Sequence, residues 1–188
     1  MLDHPQLRAI TAATDSRPMH WADLGCGDGS FTFALAHFLA PGSTIEAIDL
    51  RVTIKRQTTA NGVTILPRKG DFVKDELGLA GLDGILMANS LHYVRDKPAL
   101  LRKLKGYLGS AGQLPLDGDR SVAAAPSGAL LLVEYDTDRA TPVWVPYPLS
   151  FAAASELLPA AGWGHIDKLG TRPSAFGRSN LYAVLGKY

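Results

Sequence analysis

Two hydrophobic patterns alternate along the chain. One is the short apolar run that is typical of a buried strand, and the clearest example is Ala129–Tyr135. The other is the recurrence of apolar residues every three or four positions that is typical of an amphipathic helix, as in the leucines at 100, 101, 104 and 108. These patterns predict strands at His20–Leu24, Thr44–Asp49, Val63–Leu66, Asp83–Ala88, Ala129–Tyr135, His165–Gly170 and Asn180–Gly186, and helices at Phe31–Leu39, Arg51–Ala60, Lys97–Leu108 and Ser150–Ala161.

The order of these elements predicts the fold class. Strands that alternate with helices indicate an α/β protein, here a doubly wound three-layer sandwich around a seven-stranded, mostly parallel sheet. The last two predicted strands follow each other without a helix, so they form a hairpin in which the last strand runs antiparallel. We therefore expect a single domain over residues 1–188.

Two segments lie outside this pattern. Residues 1–19 are expected to form an N-terminal cap segment. Residues 109–128 consist mostly of Gly, Ser, Ala, Pro and Asp, and they are longer than an ordinary connection in a compact domain. They are predicted to be a flexible surface insertion, and the alternative is a lid over the functional site.

Composition narrows the function classes. Hydrophobic residues make up 46% of the chain and charged residues 20%, which excludes a disordered protein. The formal net charge of +1 gives no global field that would attract nucleic acid or a membrane surface, so neither partner is expected. The single cysteine excludes an internal disulfide and a cysteine-rich metal site.

The composition and the N-terminal sequence predict where the protein is located, but they do not predict its oligomeric state. The lone cysteine fits a reducing compartment, and no apolar run approaches the length of a membrane span. The first ten residues include an acid and lack the apolar core of a signal peptide. A cytoplasmic location is therefore predicted, while the oligomeric state stays open.

The strongest local signal is a glycine cluster between the first predicted strand and the first predicted helix. Glycine stands at positions 25, 27 and 29, where the absence of a Cβ lets the backbone approach a ligand. In an open parallel sheet this turn lies at the carboxyl edge, where ligands bind. The dinucleotide fingerprint requires glycine at its sixth position, but Ser30 stands there and is expected to cap the helix.

Acidic residues accompany this cluster at successive strand ends. Asp23 stands just before the glycines, and Asp49 ends the second predicted strand, where its carboxylate could accept both hydroxyls of a ribose. Asp71 and Phe72 follow the third predicted strand, where an acid and an aromatic ring could bind an adenine. Each acid alone would suit a solvated loop or a helix cap, but their shared placement indicates one binding edge.

Together these motifs resemble those of the class I S-adenosylmethionine-dependent methyltransferases. Asp23–Gly29 is similar to the first motif of that family, which holds the methionine part of the cofactor. Ile48–Leu50 resembles its ribose-binding strand end, Gly70–Phe72 its adenine-side motif, and Leu86–Val94 the segment under the cofactor that faces the substrate. The resemblance implies S-adenosylmethionine as cofactor, with contacts from Asp23, Gly25, Cys26, Gly27, Asp49, Leu50, Asp71, Phe72 and Asn89.

The subgroup with the most similar motifs acts mostly on small molecules, so the resemblance implies methyl transfer to a small-molecule acceptor. Such a displacement requires an aligned acceptor and, for a protonated one, a base. His92 is the candidate general base, with a structural role under the cofactor as the alternative. Acceptor contacts are expected from His92, Tyr93, Glu134 and Tyr147. Trp144, Tyr147 and Phe151 could form an apolar wall over the substrate or pack as a satellite of the core.

Two other functions remain open at this point. A non-catalytic protein of the same fold would bind S-adenosylmethionine or serve as a scaffold without turnover. A nicotinamide-dependent oxidoreductase would need a glycine in place of Ser30 and a catalytic Tyr/Lys or His arrangement, and neither is found. No clustered acids and histidines suggest a metal, and Cys26 has no nearby histidine in sequence to make it a nucleophile.

Overall fold

The central strand of the sheet is the apolar run that precedes the glycine cluster. Within residues 17–109, 128–174 and 179–187, which the computed structural model describes, eight strands form one sheet in the order β3-β4-β2-β1-β5-β6-β8-β7. The strands are β1 His20–Leu24, β2 Thr44–Asp49, β3 Gln57–Thr58, β4 Thr64–Lys69, β5 Gly84–Ala88, β6 Ala129–Tyr135, β7 His165–Pro173 and β8 Asn180–Lys187. Almost all of the predicted cap segment and insertion lies outside the described residues.

Three α-helices in the described part of the chain cover the two faces of this sheet. They are α1 Ser30–Phe38, α2 Lys97–Lys105 and α3 Phe151–Ala160, and a single 3-10 turn follows β5 at Leu91–Tyr93. Leucines and alanines of α2 and α3 pack on one face, and α1 packs on the other. None of the helices in the described ranges is long and apolar enough to cross a membrane.

Strand direction places the functional edge of the sheet. β1 pairs in parallel with β2 and β5, and the parallel pairing continues to β4 on one side and to β6 on the other. β8 runs antiparallel between β6 and β7, which confirms the predicted hairpin and the mostly parallel sheet. The carboxyl ends of β1, β2, β4, β5, β6 and β7 therefore share one edge, with the topological switch between β1 and β5.

The predicted helix at Arg51–Ala60 is wrong. This segment is an irregular connection that contains only β3, which pairs antiparallel with the start of β4. Five of its ten residues are β-branched and disfavour a helix. The Thr59 hydroxyl also accepts the N–H of Val63 at 3.1 Å and donates to Asn61 Oδ1 at 2.7 Å, which closes a turn instead. The sheet consequently has eight strands in the described residues, rather than seven.

Several predicted boundaries also shift. Ser30 is the first residue of α1 rather than its cap, because Gly29 occupies the cap position with a φ of 86°. The second amphipathic helix ends at Lys105, three residues before the predicted Leu108, and β4 continues three residues past the predicted Leu66. Ser150 does cap α3, since its hydroxyl accepts the N–H of Ala153 at 3.3 Å.

A glycine in β5 allows the largest side chain of β1 to pack closely over the neighbouring strand. Trp21 is buried on the α1 face, and Gly84 stands opposite it in β5. A Cβ at Gly84 would lie 2.5 Å from the Trp21 ring atoms Cζ2 and Cη2. Contacts this short do not occur between carbon atoms, so the β1–β5 pairing requires glycine at this position.

We expect Gly84→Ala to lower the free energy of unfolding by about 1–3 kcal/mol, because the added methyl group displaces the indole of Trp21. Denaturant titration followed by tryptophan fluorescence measures this change. Gly164→Ala is the matched control, since a Cβ there meets no atom within 4 Å. Equal stabilities for the two variants would contradict this account of the β1–β5 contact.

Candidate active site at the carboxyl edge of the sheet

The glycine loop between β1 and α1 lies against the ends of two neighbouring strands. The amides of Gly25 and Cys26 both donate to the carbonyl of Ile48, at 2.8 and 3.2 Å. A Cβ at Gly25 would lie 2.5 Å from the Cβ of Ser90, and Gly25 has a φ of 87°. Both the contact and the conformation require glycine. The loop is thereby packed onto the segment that follows β5.

Asp49 fixes the far side of the same loop. Its Oδ2 accepts the N–H of Gly27 at 3.0 Å, and its Oδ1 accepts the N–H of Arg51 at 2.8 Å. The hydroxyl of Thr53 donates to the carbonyl of Gly27 at 3.2 Å. Asp49, which is predicted to bind the ribose, therefore also holds the glycine loop in place.

The carboxyl group of Asp23 is buried at the end of β1 with a single donor. The Thr32 hydroxyl donates to Oδ2 at 2.6 Å, while Oδ1 is buried and has no hydrogen-bond partner in the described structure. Burial raises the pKa of Asp23 to about 7; the Thr32 hydrogen bond opposes this rise, and the negative charge of Asp49 adds to it. A cationic group next to Oδ1 would supply the missing partner.

A second buried oxygen without a donor belongs to Asn89, directly after β5. The backbone N–H of Asn89 donates to the carbonyl of Val133 at 2.8 Å. Its φ is 52°, a conformation that asparagine tolerates better than most residues. Its side-chain Oδ1 is buried without a hydrogen bond in the described part of the protein. Unpaired buried oxygens are rare in native proteins, so this pair indicates a ligand.

Asp23 and Asn89 line one cavity of about 440 Å³ on the α1 face of the sheet edge. Five predicted cofactor residues line it, namely Asp23, Gly25, Cys26, Gly27 and Asn89. The wall is completed by residues that include Phe31, Tyr135, Arg172, Ser174 and Leu181.

Arg172 and Ser174 were not predicted as site residues. The topology alone could have pointed to them, because the predicted terminal hairpin brings the end of β7 to the carboxyl edge of the sheet.

The other predicted cofactor residues lie outside this cavity. Phe72 packs on the core beside the glycine loop, with its Cε1 3.5 Å from the position of a Gly25 Cβ. Asp71 accepts the N–H groups of Val73 and Lys74 through Oδ1, at 3.0 and 3.2 Å. The side chain of Leu50 is 58% exposed. The adenine and ribose roles of these residues stay predictions.

His92 and Glu134 form a buried pair, at 2% and 1% exposure. Nδ1 of His92 lies 2.6 Å from Oε2 of Glu134, and Oε1 accepts the N–H groups of Leu91 and His92 at 2.8 and 3.2 Å. One carboxylate at the end of β6 therefore holds the 3-10 turn that follows β5. The predicted catalytic role of His92 and the predicted acceptor contacts of both residues stay predictions.

A buried lysine connects this turn with the segment before α3. Lys97 Nζ donates to the carbonyls of Val94 and Tyr147, at 3.0 and 2.7 Å, and the N–H of Tyr147 donates to the carbonyl of His92 at 3.0 Å. Burial lowers the pKa of Lys97, and the negative charge of Glu134 opposes that shift. The backbone at Tyr147 is thereby fixed beside the 3-10 turn.

The predicted aromatic wall is divided between core and surface. Phe151 packs against the core and lies edge-on to Tyr182, with ring centroids 5.7 Å apart. Trp144 is 73% exposed, and Tyr147 is also exposed. Trp144 and Tyr147 therefore lie on the surface, whereas Phe151 has a packing role.

Cys26 and the metal-ligating residue types were the other candidates for reactive chemistry. Burial, together with Asp23, Asp49 and Asp28, raises the pKa of the Cys26 thiol to about 12, so the thiol stays protonated near neutral pH. Among the residues that the structure describes, no group of three or more His, Cys, Asp or Glu side chains is arranged to hold a metal ion.

Comparison with known sequences identifies related proteins. A family model described as "Methyltransferase domain" matches residues 22–116. The chain is similar to nocamycin O-methyltransferase of Saccharothrix syringae, with 28% identity over 120 residues, 61% of this chain and 43% of that protein. It is 33% identical over 92 residues to an uncharacterized methyltransferase of Mycobacterium tuberculosis, 49% of this chain and 46% of that protein. The match spans less than half the length of these curated relatives.

Solved structures share the fold. A methyltransferase described as S-adenosylmethionine-dependent, from Aquifex aeolicus, has a TM-score of 0.59 at 17% identity, covering 97% of this chain and 88% of that chain. The 1,6-didemethyltoxoflavin-N1-methyltransferase of Burkholderia thailandensis, solved with 1,6-didemethyltoxoflavin and S-adenosylhomocysteine, has a TM-score of 0.60 at 17% identity, covering 98% and 79%.

We expect the raised pKa of Asp23 to make the free protein less stable as the pH rises. The folded state keeps the proton up to about pH 7, whereas the unfolded chain loses it near 3.8, so stability present below 3.8 is lost on the way to 7. Between pH 5 and pH 8 the wild-type protein should lose about 3 kcal/mol relative to Asp23→Asn.

Urea titrations at the two pH values measure this difference. Asp138→Asn, at an exposed position, is the control and should follow the wild-type protein. The same pH dependence in wild-type protein and Asp23→Asn would show that Asp23 is ionised normally in the folded state.

Proposed function

This chain belongs to the methyltransferase-domain family, and we propose that it binds S-adenosylmethionine and transfers the methyl group to a small-molecule acceptor. The observation that carries the proposal is the pair of unpartnered buried oxygens of Asp23 and Asn89 on the cavity beside the glycine loop. When bound, the sulfonium cofactor supplies an activated methyl group for in-line displacement by the acceptor.

The residues at the glycine-loop end fit the methionine part of this cofactor. Its ammonium group would donate to Asp23 Oδ1 and Asn89 Oδ1, neither of which has a donor in the described structure. The positive charge would favour the ionised form of Asp23 and so offset the cost of burying that carboxylate. A Cβ at Gly27 would meet no atom within 4 Å, so the backbone there is open to a ligand.

The other end of the cofactor would lie beyond Gly25. Asp49 would accept the ribose hydroxyls while it keeps the N–H of Gly27, because each carboxylate oxygen can accept two hydrogen bonds. Asp71 and Phe72 would then bind the adenine. Leu50 would cover the ribose edge with its exposed side chain. The protein's contribution is alignment, because displacement at carbon requires the acceptor atom in line with the breaking bond.

A small acceptor is supported by the dimensions and the charge of the site. A cavity of about 440 Å³ suits a small molecule and part of the cofactor. The net charge of +1 gives no support for a nucleic acid substrate. Nocamycin O-methyltransferase and 1,6-didemethyltoxoflavin-N1-methyltransferase are named for small-molecule acceptors. A cytoplasmic location is part of the same proposal.

In this proposal the acceptor side has an inner and an outer layer. Tyr93 and Tyr147 contact the acceptor with their exposed rings at the rim. His92 acts as the base for an acceptor that starts protonated, and Glu134 orients the imidazole through its 2.6 Å contact with Nδ1. Glu134 is buried and engaged by His92 and the 3-10 turn, so its main role in this proposal is to act through His92.

Isothermal titration calorimetry tests cofactor choice. We expect S-adenosylmethionine and S-adenosylhomocysteine to bind with micromolar or better affinity and NAD to give no heat. Absence of heat with both sulfur compounds would overturn the proposal. Binding without methyl transfer to any compound of a diverse small-molecule panel, followed with tritiated methyl donor, would favour the non-catalytic alternative.

We expect Asp49→Asn to weaken S-adenosylhomocysteine binding by about ten-fold or more, because the amide offers one acceptor oxygen where the ribose requires two charged ones. Asparagine keeps an oxygen for the N–H of Gly27, so the loop remains tethered. The same titration with Asp138→Asn, at an exposed position remote from the glycine loop in sequence, should give the wild-type affinity. Unchanged binding in Asp49→Asn would remove this residue from the cofactor site.

A further inference from the structure

The cavity extends far beyond the glycine loop. In the sheet order β1-β5-β6-β8-β7, four strand spacings of about 4.8 Å separate β1 from β7, or about 19 Å in total. Asp23 lies near the end of β1 and Arg172 near the end of β7, yet both line the same cavity. The cavity therefore has two chemically distinct ends.

Among the described residues, the far end places Arg172 and Ser174 beside the side chains of Leu181 and Tyr135. Tyr135 stands opposite Leu181 in the β6–β8 pairing, and Leu181 stands opposite Arg172 in the β8–β7 pairing. Directly opposed residues project from the same face, so the three side chains form a continuous row. All three line the cavity.

The guanidinium of Arg172 is uncommitted in this row. Arg172 is half-buried, and its side chain has no hydrogen bond or ion pair within the described residues. The acids that line the cavity are Asp23 and Asp28, both at the glycine-loop end. The Thr32 hydroxyl donates to Asp23, and the N–H of Ser30 donates to Asp28 at 2.9 Å. The described wall thus places a cation at the far end and no carboxylate next to it.

We infer that Arg172 binds an anionic group, a carboxylate or a phosphate, on the methyl acceptor, whose apolar body lies on Leu181 and Tyr135. This inference rests on the proposed function. A planar guanidinium recognises both anions through paired hydrogen bonds, and the apolar neighbours strengthen the contact because they exclude water. The structure thereby assigns the acceptor to the class of small organic acids or phosphate esters.

The carboxylate of the cofactor does not account for this arginine. That carboxylate is attached to the same carbon atom as the ammonium group, which the proposal places at Asp23 and Asn89. It therefore stays at the glycine-loop end, several strands away from the backbone of Arg172. An anion at the far end must come from the second ligand.

The test uses three phenyl compounds as probes on protein saturated with S-adenosylhomocysteine. Benzoate and phenyl phosphate carry the anion, and benzamide is the neutral counterpart of benzoate with the same shape. We expect calorimetry or NMR titration to show at least one anion binding about ten-fold more tightly than benzamide. Arg172→Met should reduce this preference to two-fold or less and leave the affinity for S-adenosylhomocysteine unchanged.

Two further variants control the experiment. Arg102→Met removes an exposed arginine from α2 and should keep the preference for the anion. Arg172→Gln repeats the test with a polar side chain and applies if Arg172→Met unfolds.

Each other outcome overturns a different statement. No anion preference in the wild-type protein, or a preference that survives in the Arg172 variants, overturns the inference and leaves the methyltransferase proposal intact. An equal loss of S-adenosylhomocysteine affinity in those variants would assign Arg172 to the cofactor and also overturn the inference. A wild-type protein that fails to bind S-adenosylhomocysteine overturns the proposed function itself.

Discussion

The contact between the loops that follow β1 and β5 determines the geometry of the whole site. The hydroxyl of Ser90 donates to the carbonyl of Leu24 at 2.7 Å, and the backbone of Gly25 lies so close to Ser90 that no side chain fits between them. These loops flank the topological switch of the sheet, where connections leave in opposite directions and a crevice opens. Because the loops are locked together, Asp23 and Asn89 face one cavity.

This arrangement leaves polar groups unpaired, which costs stability in the free protein. Asp23 is buried with one donor, and Asn89 keeps a positive φ beside an unpaired side-chain oxygen. Unsatisfied groups and strained backbone in a native structure commonly mark functional sites, where a ligand completes the interactions. Here both defects occur at the same cavity, on neighbouring strands. A cationic ligand would therefore bind and stabilise the fold through the same contacts.

Sequence reasoning succeeded where a strong local pattern coincided with the sheet topology. The strands His20–Leu24, Thr44–Asp49 and Ala129–Tyr135 have the predicted bounds, because each is a compact run of strand-forming residues next to a clear turn or loop. Acids at strand ends were also recognisable, since parallel strands bring their carboxyl ends to one edge. The helix predicted at Arg51–Ala60 was wrong. The spacing of its apolar residues fits a helix, but its β-branched residues and the turn at Thr59 favour irregular backbone.

The position of Arg172 could not be predicted from local sequence. It depends on the register of the terminal hairpin, which shifts by one residue between Lys168 and Gly170. Such a shift changes which side chains beyond it face the cavity. The pairing of His92 with Glu134 was equally inaccessible, because it joins positions that are 42 residues apart.

The two ends of the site are built on different principles. The proposed cofactor end uses glycine backbone and strand-end carboxylates, and it lies within residues 22–116, which the family model matches. The proposed acceptor end adds side chains from β6, β7 and β8, which lie outside the matched range. A cofactor common to many enzymes demands the same backbone approach in each of them, whereas an acceptor is recognised by side chains that differ between enzymes. In the proposed function, Arg172, Leu181 and Tyr135 would therefore contribute to the choice of acceptor.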